Sequence, residues 1–138
     1  MGIETMEVTG LGVTQAQLDE AESAMCEMLD SSRASSVILI NSIDGSLVAA
    51  KGATEMLDTV SLAALAAGAF ASTREIARLV GEPEFTVLFH QGKRQHVHVN
   101  VAGESCLLMT LFSDETTVGM VRLCARRACL RIGQAFGG

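Results

Sequence analysis

The 138-residue chain has no Trp, no Tyr and a single Pro, and only 19% of its residues are charged. Hydrophobic residues make up 49% of the chain. A low charged fraction with a high hydrophobic fraction excludes a disordered chain, because disordered chains have the opposite composition. The 16 acidic and 10 basic side chains give a net charge of −6, which argues against nucleic-acid binding because that function needs clustered basic residues. The composition therefore predicts one globular domain with an aliphatic core.

Long hydrophobic runs and a basic, apolar leader are also missing. The longest apolar run, residues 60–71, is interrupted by Ser61 and Gly68 and is shorter than the roughly 20 residues that cross a bilayer. We therefore expect no membrane insertion and a cytoplasmic location.

The four cysteines contain no C-x-x-C pair, and each lies in an apolar stretch. We expect four reduced core thiols, because a chain of this length needs no disulfides to fold. A redox pair between Cys124 and Cys129 is the alternative, but residues five positions apart on a helix point in different directions.

Motifs that would supply catalysis are absent as well. The chain has no phosphate-binding P-loop, no dinucleotide-binding glycine motif and no G-x-S-x-G elbow. His96 and His98 point the same way on a strand, with His90 across the turn, but no further strong metal ligand is evident. We expect no catalytic residue, no cofactor and no metal, and hence a binding module. A metal or redox sensor stays open as a less favoured possibility.

Hydrophobic periodicity predicts residues 1–13 as a loose lead-in and residues 14–138 as one domain. The predicted order is α-β-β-α-β-β-β-α, a mixed α/β (α+β) fold. Thr14 and Gln17 have capping-box spacing at the first helix start, and Asp44-Gly45 suits a two-residue hairpin turn. The predicted helices run from residue 14 to the serines at 31–35, from 59 to 80, and from the caps at 114–117 to 136; the strands are 36–43, 47–51, 85–91, 95–102 and 106–112.

The second helix has two apolar faces when residues are placed at about 100° intervals. One face is wide enough to cover a sheet. The opposite face consists mainly of small apolar residues, whereas an ordinary surface helix carries charged residues on its outer face. We interpret the second face as a contact between subunits; the alternative is an Ala-rich helix chosen for propensity, with one stray Phe. The expected core face is Leu62, Leu65, Ala69, Ile76 and Val80, and the expected intersubunit face is Val60, Ala63, Ala64, Ala67, Phe70 and Ala71.

Opposite charges lie at the two ends of the chain. Residues 1–30 hold seven acids and no base, whereas the chain from Thr116 onward holds four Arg and no acid. We expect the first and last helices to lie side by side and to pair charges at the surface. A site for an acidic partner is the alternative. Leu123 and Leu130 form a minor apolar line away from the expected core of the last helix. That expected core stripe is Val118, Val121, Ala125, Ala128, Ile132 and Phe136.

Two segments carry a resemblance to a known family. The hairpin from Val37 to Ala49, with Asp44-Gly45 at its turn, resembles the opening of the Roadblock/LC7 family. Leu107 to Leu111, then Asp114 and the segment from Thr117 to Leu123, is similar to the last strand and final helix of its bacterial, MglB-like members. The resemblance covers residues 14–136. It implies a five-stranded antiparallel sheet with the first and last helices on one face and the second helix on the other.

The resemblance also implies a homodimer, in which the second helices meet and the third strands pair at their edges. Family members act as non-enzymatic partners of small Ras-like GTPases. MglB-like members stimulate GTP hydrolysis by an MglA-like GTPase, as GTPase-activating proteins, whereas others are scaffold subunits. We therefore expect a homodimeric GTPase regulator, or alternatively a structural adaptor without effect on nucleotide turnover. The expected dimer interface is Val60, Ala63, Ala64, Ala67, Phe70, Ala71, Phe85, Val87 and Phe89. The expected partner-binding residues are Arg74, Arg78, Leu123, Arg126 and Leu130. Arg74 and Arg78 are candidate arginine fingers, although ordinary solvent-facing arginines are the favoured interpretation.

Overall fold

The computed structural model describes residues 12–137, so most of the predicted lead-in lies outside the described residues. The predicted order of elements is confirmed. The elements are α1 (Gln15–Ser32), β1 (Ser36–Asn41), β2 (Leu47–Gly52), α2 (Thr59–Val80), β3 (Val87–Gln91), β4 (His96–Ala102), β5 (Cys106–Phe112) and α3 (Val118–Ala135).

The five strands form one antiparallel sheet in the order β2-β1-β5-β4-β3. Helices α1 and α3 pack side by side on one face, and α2 packs on the other. The layer arrangement implied by the resemblance is therefore confirmed. None of the helices in residues 12–137 is both long and apolar enough to cross a membrane.

The start of α1 follows its local sequence. Thr14 Oγ1 accepts a hydrogen bond from the Gln17 N–H at 3.1 Å, and Gln17 Oε1 accepts one from the Thr14 N–H at 2.8 Å. This reciprocal pair is the predicted capping box. At the other end, Arg33 takes the left-handed conformation, with φ 63°, which usually favours glycine.

The hairpin turn is wider than predicted. Strand β1 ends at Asn41, and residues 42–46 form the loop, so the two-residue turn and the extension of β1 to Ile43 are wrong. The Asn41 carbonyl accepts from the Gly45 N–H at 2.9 Å, and Asn41 Oδ1 accepts from the Ile43 N–H at 2.7 Å. These local bonds satisfy the backbone in place of a continued ladder. Strand β3 likewise begins two residues later than predicted, at Val87.

Charged side chains connect α1 and α3 as expected. The Arg131 guanidinium donates to Glu20 Oε2 at 2.8 Å and to Glu27 Oε2 at 3.0 Å. Because these groups are partly exposed, each pair contributes only about 0–1 kcal/mol. The pairing helps to set the register of two helices that are held mainly by their buried apolar sides.

The orientation of α2 differs from the sequence-based expectation. Phe70 is only 1% exposed, whereas Leu65 is 72% and Ile76 is 52% exposed. The predicted core face is therefore wrong, by about a quarter of a turn at 100° per residue. The sheet supplies the large side chains, among them Ile38 and Ile40, and small residues on α2 allow the helix to lie close to them. The buried residues of α2 are Ala63, Ala66, Phe70 and Ala77.

The middle strand of the meander, β4, is also covered differently from the expectation. The alternation along this strand predicts a buried face of Val97, Val99 and Val101 and a polar face of His96, His98 and Asn100. In the structure all three polar residues are buried. They lie on the same side of the sheet as α3. On the opposite side Val99 is buried, as predicted, whereas Val97 and Val101 are only half-buried. The reason is tertiary: α3 lies over this face of β4, while α2 packs on β1 and β2 at the other end of the sheet.

The cysteines divide into two groups. Cys106, Cys124 and Cys129 are buried, as expected, but Cys26 is exposed on α1. Burial raises the pKa of Cys106 to about 11 and that of Cys129 to about 12. Thiols with such pKa values are inert at neutral pH because the reactive species is the thiolate.

Candidate protein–protein interface

Strand β3 is an edge of the sheet. It pairs with β4 on one side, and no other strand of residues 12–137 lies on its outer side. Val87, His90 and Gln91 are exposed. An edge strand with free backbone groups is a ready template for a strand of another chain.

Helix α2 presents an apolar row to solvent. We define its outer row as Val60, Ala64, Leu65, Gly68, Ala71 and Leu79, all of which are exposed. A Cβ added at Gly68 would meet no atom of the described part of the chain within 4 Å, so those residues leave this part of the row open. Exposed large aliphatic side chains beside small residues are typical of a helix–helix contact between subunits. The second apolar face predicted on α2 is thus retained in part. Val60, Ala64 and Ala71 belong to it as predicted, whereas Leu65, Gly68 and Leu79 take the place of Ala63, Ala67 and Phe70.

The predicted dimer-interface residues do not all lie at the surface. Ala63 and Phe70 are buried against the sheet of their own chain, so their expected exposure is wrong. Ala67 and Phe89 are half-buried and pack against the two cores. The Phe89 ring stacks on Phe112, with centroids 6.1 Å apart. The exposed members are Val60, Ala64, Ala71 and Val87, and Phe85 is half-buried.

A groove of about 860 Å³ opens beside the C-terminal half of α2. Phe70, Arg74, Phe85 and Val101 contribute to its lining. The Arg74 guanidinium lies over the Phe70 ring, 5.8 Å from its centroid, which is a cation–π geometry. Because α2 leaves this end of the sheet partly uncovered, an apolar side chain of another subunit would fit here.

The predicted partner-binding residues lie in two separate places. Arg74 and Arg78 lie on α2, and Arg78 pairs with Glu75 at 2.7 Å. Leu123, Arg126 and Leu130 are exposed on α3, on the opposite face of the sheet. The structure therefore does not bring the five together as one surface of a single chain.

His96 has a structural role. Its Nδ1 accepts from the Gly92 N–H at 3.2 Å, so its Nε2–H donates to Asp114 Oδ1 at 2.8 Å. This arrangement connects the turn before β4 to the segment before α3. In residues 12–137 no group of three or more His, Cys, Asp or Glu side chains is placed to hold a metal.

Comparison with known proteins supports the fold and adds a family. A sequence profile of the Roadblock/LC7 domain matches residues 22–112, about two thirds of the chain. This chain belongs to the Roadblock/LC7 family. No match was found among curated protein sequences.

Solved structures similar to this Roadblock/LC7 protein include several MglB proteins. Myxococcus xanthus MglB is 28% identical, with a TM-score of 0.84 over 90% of this chain and 92% of that one. The gliding protein MglB of Thermus thermophilus is 31% identical, with a TM-score of 0.82 over 89% and 93% of the two chains. A third structure, described as MglB with a tetrameric arrangement, is 30% identical with a TM-score of 0.84, over 89% of this chain and 92% of that one.

Sequence reasoning missed two residues of the candidate interface. Leu65 was placed in the core, and Leu79 was given no role, although both are among the exposed large side chains of this Roadblock/LC7 protein. The sequence signal that could have placed them at the surface is a small or polar residue on the same side of the helix. Gly68 lies three residues after Leu65, and Ser72 lies seven residues before Leu79. That signal is weak because the other faces of α2 are also rich in alanine.

Proposed function

We propose that this Roadblock/LC7 protein is a non-enzymatic, homodimeric partner of a small Ras-like, MglA-like GTPase in the cytoplasm and that it stimulates GTP hydrolysis. The observation that carries the proposal is the similarity to MglB structures over nine tenths of the chain. Because MglB-like members of the family are expected to act on MglA-like GTPases, we extend the same activity to this chain.

The dimer would form through two elements already described. The outer row of α2 would pack against the same row of a second copy, and the β3 edges would pair into a continuous sheet. Such an isologous contact uses the same patch on both subunits. The mixture of Leu65 and Leu79 with Gly68 and Ala71 supports close packing of two α2 helices around a symmetry axis.

Dimerisation is tested by Ala71→Glu, which places a charge in the middle of the outer row. Since Ala71 is exposed, the variant chain should still fold, but its dimer should be lost in light scattering. Ala16→Glu on α1 is the matched control, because Ala16 is also an exposed helical alanine and lies away from α2. An Ala71→Glu chain that keeps the mass of a dimer would contradict this interface.

GTPase regulation is tested by single-turnover GTP hydrolysis of an MglA-like GTPase with an excess of this protein. We expect the rate to rise at least about tenfold and to return to the basal rate with Ala71→Glu, but not with Ala16→Glu. Binding without any change in hydrolysis or nucleotide exchange would support the adaptor function instead. No binding at all would refute both.

The two arginines of α2 provide a further test of mechanism. Arg78 is paired with Glu75, and Arg74 lies over Phe70, so we propose that neither acts as an arginine finger. Arg74→Ala and Arg78→Ala should therefore retain the stimulation. Return of the hydrolysis rate to its basal value in either variant, with dimerisation and GTPase binding retained, would assign that role to the affected residue.

A further inference from the structure

A cavity of about 340 Å³ lies between α3 and the strands β3 and β4. Within residues 12–137, α1 and α3 cover the other four strands on this face, and no helix lies over β3, which leaves the space open. His98 and Asn100 of β4 line its inner part, and Arg122 and Arg126 of α3 line its side. Its volume falls in the range of about 300–1,000 Å³ that is usual for small-molecule sites.

The inner part of the cavity holds polar groups without partners. His98 is 0% exposed, and neither of its ring nitrogens has a hydrogen-bond partner among the described residues. Asn100 is also buried, and its Oδ1 has none there either. A buried polar group left unpaired costs roughly 1–3 kcal/mol, and such groups usually have a partner in native proteins. Three unpaired polar atoms on one cavity therefore point to a ligand that meets them.

The charges around these groups define the class of ligand. Burial first, and then the nearby charge of Arg122, lowers the pKa of His98 to about 4, so its ring is neutral at physiological pH. A neutral imidazole offers one donor and one acceptor. Arg122 and Arg126 add two guanidinium groups, which bind planar carboxylates and phosphates. Val87 and Leu130 give the remaining lining an apolar character.

We propose that this cavity binds a small organic anion. The two arginines hold its carboxylate or phosphate group, and the N–H of the neutral His98 ring donates a hydrogen bond to that group. A hydroxyl or amino group elsewhere on the ligand donates to Asn100 Oδ1, and the apolar part packs between Val87 and Leu130. This site is on the α1/α3 face of the sheet, opposite to α2. Its test uses this protein alone, so its outcome is independent of any GTPase.

The test is a titration of the isotope-labelled full chain, followed by nuclear magnetic resonance. The probes are 4-hydroxyphenyl phosphate and 4-hydroxybenzoate, whose hydroxyl group can donate to Asn100 Oδ1, with 4-hydroxybenzyl alcohol as the neutral analogue. We expect saturable shifts of the Asn100 side-chain amide and the Arg122 Nε–H signals with at least one anion, and binding at least about tenfold weaker for the alcohol. Comparison of the two anions identifies the preferred group, phosphate or carboxylate.

Variants locate the site. The double variant Arg122→Gln with Arg126→Gln should weaken binding at least about tenfold, which corresponds to about 1.4 kcal/mol. Arg127→Gln is the matched control, because Arg127 is exposed on the same helix but does not line this cavity. His98→Leu should also weaken binding while the circular dichroism spectrum stays native. Absence of saturable shifts at about 10 mM of either anion, or equal weakening by Arg127→Gln, would overturn the proposal.

Discussion

Truncation of Phe70 distinguishes the observed orientation of α2 from the one expected from its periodicity. In the structure Phe70 is among the largest fully buried side chains, whereas Ile76, which was expected in the core, is half-exposed. Phe70→Ala should therefore destabilise the protein strongly, and Ile76→Ala should have a small effect. If the face expected from the periodicity met the sheet instead, Ile76→Ala would destabilise the protein more than Phe70→Ala.

The size of the effect follows from the burial of Phe70. A buried Phe removes roughly 150–250 Å² from water, and Phe→Ala in a core costs roughly 3–5 kcal/mol. Because the ring borders the groove beside α2, water can enter the space that it leaves, and we expect the lower half of this range. Of this loss, about 0.5–1 kcal/mol comes from the Arg74 contact. We therefore expect about 3–4 kcal/mol for Phe70→Ala and less than about 1.5 kcal/mol for Ile76→Ala.

Urea unfolding followed by circular dichroism measures both free energies. The experiment should be repeated at a second, about tenfold different, protein concentration, since a dimer makes apparent stability depend on concentration. Any contribution of Ile76 that comes from a subunit contact would then appear as a concentration-dependent part. A loss below about 1 kcal/mol for Phe70→Ala, or a larger concentration-independent loss for Ile76→Ala, would refute the observed orientation.

Three other predictions concern stability and reactivity. Arg33→Gly should raise the free energy of unfolding in urea by about 0.5–1 kcal/mol, because the φ of 63° at this helix end suits glycine; unchanged or reduced stability would contradict it. Since the pKa of His98 is lowered, mainly by burial, from 6.5 to about 4, the unfolded chain binds the additional proton first. The free energy of unfolding should therefore be highest above pH 6.5, the pKa of His98 in the unfolded chain, and fall by up to about 3 kcal/mol as the pH decreases to about 4, its pKa in the folded chain. Urea unfolding at several pH values measures this slope, and His98→Leu should make it flatter. A neutral maleimide should label Cys26 alone in the native protein near neutral pH, because Cys106, Cys124 and Cys129 are buried and therefore inaccessible. Burial also raises the pKa of Cys106 to about 11 and that of Cys129 to about 12; mass spectrometry that finds a second thiol modified equally fast would count against this.

The parts of the fold that the sequence predicted correctly depend on local interactions. The capping box at Thr14 lies within one turn of helix, and the apolar stripe of α3, from Val121 to Ile132, has a single clear period. The pairing of α1 with α3 followed from the uneven distribution of charge, which Arg131 confirms. In the first two cases a few neighbouring residues contain the information, whereas the third compares the charges of two segments at opposite ends of the chain.

The errors arose where several placements satisfy the same local pattern. Helix α2 has apolar residues on nearly every side, so its period does not determine which side meets the sheet. The general rule that large aliphatic residues enter the core placed Leu65 and Ile76 there. The sheet already provides those large side chains through Ile38 and Ile40, and the helix fits them with Ala63 and Phe70 instead.

The sequence by itself determined the elements, their order and the apolar excess of α2, because caps, turns and hydrophobic periods are properties of short segments. Only the tertiary structure decided which side of α2 stays exposed and that His98 is buried beneath α3. The physical reason is that burial depends on the shape and size of the surface that an element meets. That surface is built from residues far away in the chain.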